Sequence, residues 1–190
     1  MRKLSDFYKS GVPRAKLTRY LRRLVFIEVG DGVYDVIGDV KLSDLELDSL
    51  LEAMTLLKEL TASEAPIRIR RVQGSFSCNF NYPRTLRGAP EEVDGDFWCD
   101  YNPLITLTGA PKRVGGSFHC EGTAIQTLQG APEYVGGNFM GSYTKLVSLE
   151  GAPKYVGGDF YCYENPKKFT EKEIRKLVDV RGDVVVQQVL

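Results

Sequence analysis

The sequence has few of the residues on which disulfide-stabilised, metal-binding or membrane-spanning proteins depend. Its 190 residues include four Cys, one His, one Trp and three Met. Four Cys are too few for a secreted disulfide scaffold, so we expect reduced thiols and a cytoplasmic location. No apolar run approaches the roughly 20 residues of a membrane-spanning helix, and no signal-peptide core is present. We therefore predict no membrane segment. The chain is also long enough to bury a hydrophobic core of its own.

Net charge is absent as well, because 25 basic residues balance 25 acidic ones. A dedicated nucleic-acid-binding protein normally carries a positive excess. The balance nevertheless conceals unlike segments, since residues 1–24 carry a net charge of +7 and residues 25–66 carry −8. The first segment predicts a basic helix over residues 13–24 that could contact nucleic acid or a partner through Arg14, Lys16, Arg19, Arg22 and Arg23. Because the core of a DNA-binding helical motif is missing, we favour docking on acidic residues, and nucleic acid stays the alternative.

A repeat of 21 residues spans residues 72–165 of the chain. Four columns hold this period: Val72, Val93, Val114, Val135 and Val156; Phe76, Phe97, Phe118, Phe139 and Phe160; Leu86, Leu107, Leu128 and Leu149; and the Gly-Ala-Pro triplets that begin at residues 88, 109, 130 and 151. A short apolar repeat that cannot bury its own face alone is typical of a solenoid. The sequence therefore predicts stacked coils.

Within one coil the pattern predicts a short strand that alternates between core and surface. Phe97 and Cys99 should point inward and Trp98 outward. Asn102 should bond backbone groups inside the coil, and Gly-Ala-Pro should make a tight bend. This frame matches the leucine-rich repeat, so we predict an α/β solenoid, a right-handed coil with one parallel concave sheet.

The repeat units also resemble a known group of sequences. The segments GAPKRVGGSFHC, GAPEYVGGNFM and GAPKYVGGDFYCYENP are similar to the 21-residue leucine-rich-like repeats of many tailed-bacteriophage proteins and, more distantly, to bacterial effector-type repeats. The resemblance covers roughly residues 33–187. Departures are Gly141 in the Cys column, Pro83 in the column of Leu104, and about 15 extra residues before Val72. It implies binding and, for a phage protein, the host cytoplasm, but no particular partner.

The ends of the solenoid carry their own predictions. Residues 1–32 should form a basic helical arm and a hairpin that turns at residues 30–32, and residues 33–71 a first coil with a helix inserted over 43–61. The 21-residue repeats span 72–165. Residues 166–190 should form a C-terminal capping helix and a last strand, because Thr170 and Glu173 have the spacing of a capping box.

The outward strand positions carry the functional prediction. Aromatic residues supply much of the energy of protein interfaces, and a contiguous exposed stripe of them marks a binding surface. Neighbouring acids favour a cationic protein patch as the partner. The candidate partner-binding residues are Trp98, His119, Met140, Tyr161, Tyr163, Tyr101, Tyr143, Asp100 and Glu121.

The same residues also suggest chemical functions other than binding. Asp100 and Glu121 should lie about 5 Å apart on adjacent coils, which is the separation of a retaining glycosidase pair, but a solvated sheet face lacks the pocket that would raise one pKa. His119 is read as a contact residue. The four Cys lack metal-ligand spacing and are read as core residues. We expect a non-enzymatic protein-binding module with no metal and no cofactor.

Overall fold

The computed structural model describes residues 24–42, 67–79 and 84–187, and these form a β-solenoid whose turns each contribute one strand to each of two sheets. The eight-stranded sheet has the order β1 (Val25–Gly30), β2 (Val33–Ile37), β4 (Arg68–Gln73), β6 (Glu92–Val93), β8 (Arg113–Val114), β10 (Tyr134–Val135), β12 (Tyr155–Val156) and β14 (Asp179–Val180). The seven-stranded sheet contains β3 (Val40–Lys41), β5 (Phe76–Ser77), β7 (Phe97–Trp98), β9 (Phe118–His119), β11 (Phe139–Met140), β13 (Phe160–Tyr161) and β15 (Val184–Val185). Neighbouring strands pair in parallel, apart from the antiparallel β1–β2 hairpin.

The predicted leucine-rich-repeat coil with an α/β arrangement and a single concave sheet is wrong. The Val-Gly-Gly-x-Phe segment of the repeat forms a corner between two strands, one that ends at the Val and one that begins at the Phe. At one such corner a Cβ on Gly136 would lie 2.0 Å from the carbonyl oxygen of Gly115 on the preceding turn. Glycine permits this close approach of stacked backbones at residues 115, 136 and 157. Gln73 and Asp94 hold the same corner position in the earlier turns, which also pass from one sheet into the other.

The predicted apolar columns are confirmed as ladders that fill the space between the sheets. The Phe and Val columns are fully or almost fully buried, and the four Cys lie in the same core as free thiols. Phe118 stacks between two rings, with centroid distances of 5.6 Å to Phe97 and 5.7 Å to Phe139. Burial of these identical side chains on successive turns is what holds the turns in register.

The predicted role of Asn102 is confirmed, and Asn165, three turns later in the repeat, has the same role. The Nδ2 atom of Asn102 donates to the carbonyl oxygens of Cys78 and Cys99, each at 2.9 Å. Asn165 donates to the carbonyl oxygen of Gly141 and accepts a 2.6 Å bond from the hydroxyl of Thr144. These bonds satisfy backbone groups that the turn leaves unpaired inside the coil.

A second polar ladder at the corners was not predicted. The residue before each Phe is short and polar, and it accepts a hydrogen bond from the backbone N–H of the equivalent residue one turn later. Ser75 accepts from Asp96, Asp96 from Ser117, Ser117 from Asn138, and Asn138 from Asp159. The regular recurrence of Ser, Asp or Asn in this column was the available signal.

The structure confirms the predictions for the two ends of the solenoid only in part. The hairpin that turns at Asp31 and Gly32 is confirmed, and β3 pairs with β5 as an early strand of the repeat. Two predicted helices lie outside the described residues. One is the helix expected over 43–61, and the other is the basic helix expected over 13–24, with Arg14, Lys16, Arg19, Arg22 and Arg23.

The C-terminal region contains a short helix but no helical cap. Helix α1 (Glu171–Leu177) begins at the predicted capping box of Thr170 and Glu173. It lies within the last turn, before β14 and β15, and those strands form the edges of the two sheets. The predicted C-terminal helical cap is therefore not supported, because the helix lies in the arc of the last turn and leaves β14 and β15 at the edges of the two sheets.

Candidate functional site

The predicted binding residues lie together on the outward side of the seven-stranded sheet, in three columns that we call the aromatic face. The first column is Trp98, His119, Met140 and Tyr161, the second is Asp100, Glu121 and Tyr163, and the third is Tyr101 and Tyr143. Parallel pairing places Trp98 beside His119, His119 beside Met140, and Met140 beside Tyr161. The sequence predicted these side chains to share one face, on a sheet that it expected to be concave, and their binding of a partner stays a prediction.

The first column is packed against itself and is half-buried. The Trp98 and His119 rings stack with a centroid separation of 5.6 Å. Tyr161 donates a 2.9 Å hydrogen bond from its hydroxyl to Asp159. Burial lowers the pKa of His119, while the carboxylates of Asp100 and Asp96 oppose that effect. The column therefore presents ordered aromatic surface.

Asp100 differs from its prediction, because it is not solvated. Asp100 is only 8% exposed, and its Oδ1 atom has no hydrogen-bond partner. Burial raises the pKa of Asp100, against the opposing effects of its own backbone N–H, of His119 and of Asn79. Burial and the adjacent Asp100 both raise the pKa of Glu121. Asp100 and Glu121, whose pKa values are both raised, therefore lie on neighbouring turns.

The third column adopts a backbone conformation that bulky residues rarely take. Tyr101 has φ 53° and Tyr143 has φ 54°, while Gly122 occupies the same column on the intervening turn with φ 63°. The two tyrosines are 54% and 47% exposed. A left-handed conformation costs an ordinary residue about 1–2 kcal/mol. The fold accepts glycine here, so tyrosine at these positions costs stability that the backbone does not require.

The second and third columns meet around Glu121. The Tyr101 ring lies over Gly122, since its Cδ1 is 2.6 Å from the place a Cβ of residue 122 would take. The Tyr143 and Tyr163 rings meet edge to face at 5.3 Å. Burial raises the pKa of Tyr163, and Glu121, Tyr143 and Tyr101 raise it further, which places these groups within electrostatic range of one another. The two columns therefore bring tyrosine rings close to Glu121.

The outward side of the eight-stranded sheet carries an aromatic stack of a different kind, which the sequence did not reveal. Tyr134 and Tyr155 stack at 4.9 Å, and they are flanked by Arg113 at 3.9 Å and Arg181 at 5.7 Å from the respective rings. Here each ring has an arginine of the same chain beside it. The 21-residue spacing of these three residues, Arg113, Tyr134 and Tyr155, was the available signal.

The other candidate sites give weaker support for a chemical function. Burial raises the pKa of all four Cys, that of Cys162 to about 12, and three of the thiols donate to backbone carbonyl oxygens of the next turn. Within residues 24–42, 67–79 and 84–187, no three His, Cys, Asp or Glu side chains gather as a metal site requires. A groove of about 520 Å³ lies between residues 147–152 and helix α1, away from the aromatic face.

No protein-family model, curated protein or solved structure matches this chain. In the part of the chain that the structure describes, no helix has both the length and the apolar character needed to cross a bilayer. The function must therefore be argued from the aromatic face.

Proposed function

We propose that the protein is a non-enzymatic binding module that holds a protein partner on the aromatic face. The observation that carries the proposal is the pair of exposed tyrosines, Tyr101 and Tyr143, in left-handed backbone conformations that the fold also builds with glycine. Strained residues that the backbone does not require concentrate at functional sites. Exposed aromatic rings are also the side chains that contribute most to protein interfaces.

The charge of the face defines the kind of partner. Asp100 and Glu121 lie at its centre, with Asp96 and Asp159 at the adjoining corners. Such a surface repels phosphate groups and attracts a cationic protein patch. The resemblance of the repeats to phage sequences makes a host factor or a host defence protein in the cytoplasm the first partner to test, and occupation of its basic patch would inhibit it.

Affinity purification from the native cell tests the proposal with a matched pair of variants. The face variant combines Tyr101→Gly with Tyr143→Gly, which we expect to melt within about 5 °C of the parent because the strain is relieved. The control combines Ile105→Ala with Val147→Ala, two residues that are 70% and 50% exposed outside the aromatic face.

The parent and the control should retain the same partner, and the face variant should lose it. Nuclease is added throughout, so that a complex held through nucleic acid by the basic segment 13–24 dissociates. Retention of the partner by the face variant, or its loss from all three proteins on nuclease treatment, would contradict the proposal.

A further inference from the structure

The two sheets end differently at the last turn of the solenoid. In the eight-stranded sheet, carbonyl oxygens of one turn accept backbone N–H groups of the next. Val156 accepts from Arg181 at 3.0 Å, and one turn later the equivalent residue is Val180. Gly158 accepts from Gly182 at 3.0 Å in the same way. Because no further turn follows in the described part of the chain, the carbonyl oxygens of Val180 and Gly182 need another donor.

Arg175 of helix α1 is that donor. Its Nη1 atom donates to the carbonyl oxygen of Val180 at 2.7 Å, and its Nη2 atom donates to that of Gly182 at 2.8 Å. Its Nε atom donates to Glu171 at 2.6 Å, which holds the guanidinium in place. One side chain therefore bonds both carbonyl groups that a further turn would have bonded, and this end of the eight-stranded sheet is closed at these two positions.

The seven-stranded sheet has no such closure. Here the backbone N–H groups of Phe160 and Cys162 donate to carbonyl oxygens of the following turn, at 2.8 and 3.0 Å. The equivalent residues of the last turn are Val184 and Val186, whose N–H groups have no acceptor among the described residues. Strand β15 therefore presents an unpaired edge, which is a template for a further strand.

The corner beside this edge ends in an open acceptor. The backbone N–H of Asp183 donates to the carboxylate of Asp159 at 2.8 Å, as the last bond of the polar ladder at the corners. The carboxylate of Asp183 holds the position that would accept from a further turn. It is exposed and forms no ion pair within the described ranges. A segment that adds to β15 therefore meets a negative charge at one end, which favours a basic segment.

A second copy of this chain fits the edge poorly. If β15 paired with itself about a two-fold axis, the closed ends of both copies would meet, and each carries the guanidinium of Arg175, so like charges would oppose the contact. In a head-to-tail stack, β15 of one copy would pair with β3 of the next. Strand β1 extends the eight-stranded sheet one strand beyond β2 at that end, where β14 of the other copy would have to lie.

We propose that the open edge of β15 binds an extended, basic segment of the partner protein, which becomes an eighth strand of the seven-stranded sheet. This inference rests on the proposed function and adds a second contact to it, because Val185 pairs with Tyr161 at the end of the aromatic face. The backbone of the segment bonds Val184 and Val186, and a Lys or Arg at its end pairs with Asp183. Strand addition of this kind gains affinity from main-chain hydrogen bonds.

The test uses the full chain and the peptide acetyl-Lys-Thr-Val-Thr-Val-Lys-amide as the probe. NMR follows the backbone amide signals of Val184 and Val186 during the titration. We expect both signals to shift in a saturable manner with a millimolar Kd, while the amide of Phe97, which is bonded inside the sheet, stays in place. A peptide with Pro in place of both Val residues lacks the backbone donors and should cause no saturable shift.

Charge variants test the role of Asp183. Asp183→Asn in the protein, or Gln in place of both Lys residues of the peptide, should each weaken binding at least threefold. Glu150→Gln, a change at another exposed acid, should leave binding unchanged. The inference would be overturned if Val184 and Val186 showed no saturable shift, if the proline peptide bound as well as the probe, or if the Lys and Gln peptides bound equally.

A matched pair of variants at residue 186 carries the test to the partner. Val186→Pro removes a free N–H and breaks no backbone hydrogen bond of the described residues, while Val186→Thr keeps that N–H in a side chain of similar size. Both should melt within about 5 °C of the parent. In the affinity purification, Val186→Thr should retain the partner and Val186→Pro should retain at least tenfold less. The peptide titration decides the inference if Val186→Pro does not fold.

Partner retention also separates this inference from the proposed function. If Val186→Pro keeps the partner that Tyr101→Gly with Tyr143→Gly loses, strand addition at β15 is wrong while the aromatic face stands. If Val186→Pro loses the partner and the tyrosine variant keeps it, the proposed function is wrong while strand addition stands.

Discussion

The corner at Gly136 offers a sharp test of the fold, because the stacked turns approach each other closely there as they pass from one sheet into the other. Alanine at residue 136 would place its Cβ 2.0 Å from the carbonyl oxygen of Gly115, and the turns at that point are joined by hydrogen bonds of 2.9 Å from Gly136 to Val114 and 2.8 Å from Gly137 to Gly116. Relief of the clash requires the turns to separate by more than about 1 Å, since a carbon and an oxygen in contact lie about 3.3–3.6 Å apart.

The magnitude follows from overpacking and from the weakened hydrogen bonds. Overpacking costs about 1–3 kcal/mol, and a buried backbone group left unpaired costs about 1–3 kcal/mol. Gly136→Ala should therefore lower the free energy of unfolding by about 2–6 kcal/mol. At this chain length 1 kcal/mol corresponds to about 2–4 °C, so the melting temperature should fall by at least about 4 °C.

Circular dichroism during heating and in urea measures this loss. Gly30→Ala is the matched control, because a Cβ at residue 30 would make ordinary contacts of 3.7 Å with Val33. We expect the control to change stability by less than about 0.5 kcal/mol. If Gly136→Ala melted together with Gly30→Ala and the parent, the turns would not stack at this corner and the two-sheet architecture would be refuted.

Three further predictions concern the core, the polar ladder and the aromatic face. Phe118→Ala should cost about 3–5 kcal/mol in urea unfolding, while Ile105→Ala, at a residue 70% exposed, should cost less than about 0.5 kcal/mol; equal losses would remove Phe118 from the core. Asn165→Ala should cost about 2–4 kcal/mol, because it leaves buried carbonyl groups without donors, and a loss under 1 kcal/mol would contradict the ladder. In NMR the single imidazole, His119, should titrate below pH 6.5, because burial disfavours its protonated form. Asp100→Asn should lower that midpoint further, since the carboxylate favours the protonated form, and an upward shift would contradict the placement of the two residues.

Periodicity predicted the part of the fold that depends on which side chains face inward. The recurrence of Phe and Cys every 21 residues, at the positions of Phe97 and Cys99, predicted the core ladders. The position of Asn102 after this strand predicted its hydrogen bonds to the backbone. The same pattern could not distinguish one strand per turn from two. That choice depends on how closely Gly115 and Gly136 bring their backbones together, which is a contact between turns.

The sequence predicted which residues share the aromatic face, but not their burial or their backbone conformation. Alternation predicts that Trp98 and Asp100 point outward, and an outward side chain on a sheet is expected to be solvated. The burial of Asp100 and the overlap of the Tyr101 ring with Gly122 arise from residues on adjacent turns, which no single repeat reveals. The left-handed backbone of Tyr143 was likewise hidden, because its column contains glycine only once in the described residues.

The dissociation constant of the purified partner, measured by calorimetry against two double variants, tests the central claim most directly. Trp98→Ala with Tyr161→Ala removes two rings of the aromatic face, and each ring at a binding hot spot contributes about 2 kcal/mol or more. The Kd should rise at least 100-fold, while Ile105→Ala with Val147→Ala should leave it within twofold of the parent. A Kd for the Trp98 and Tyr161 variant equal to that of the parent, with the fold intact, would contradict the claim that the partner binds on the aromatic face.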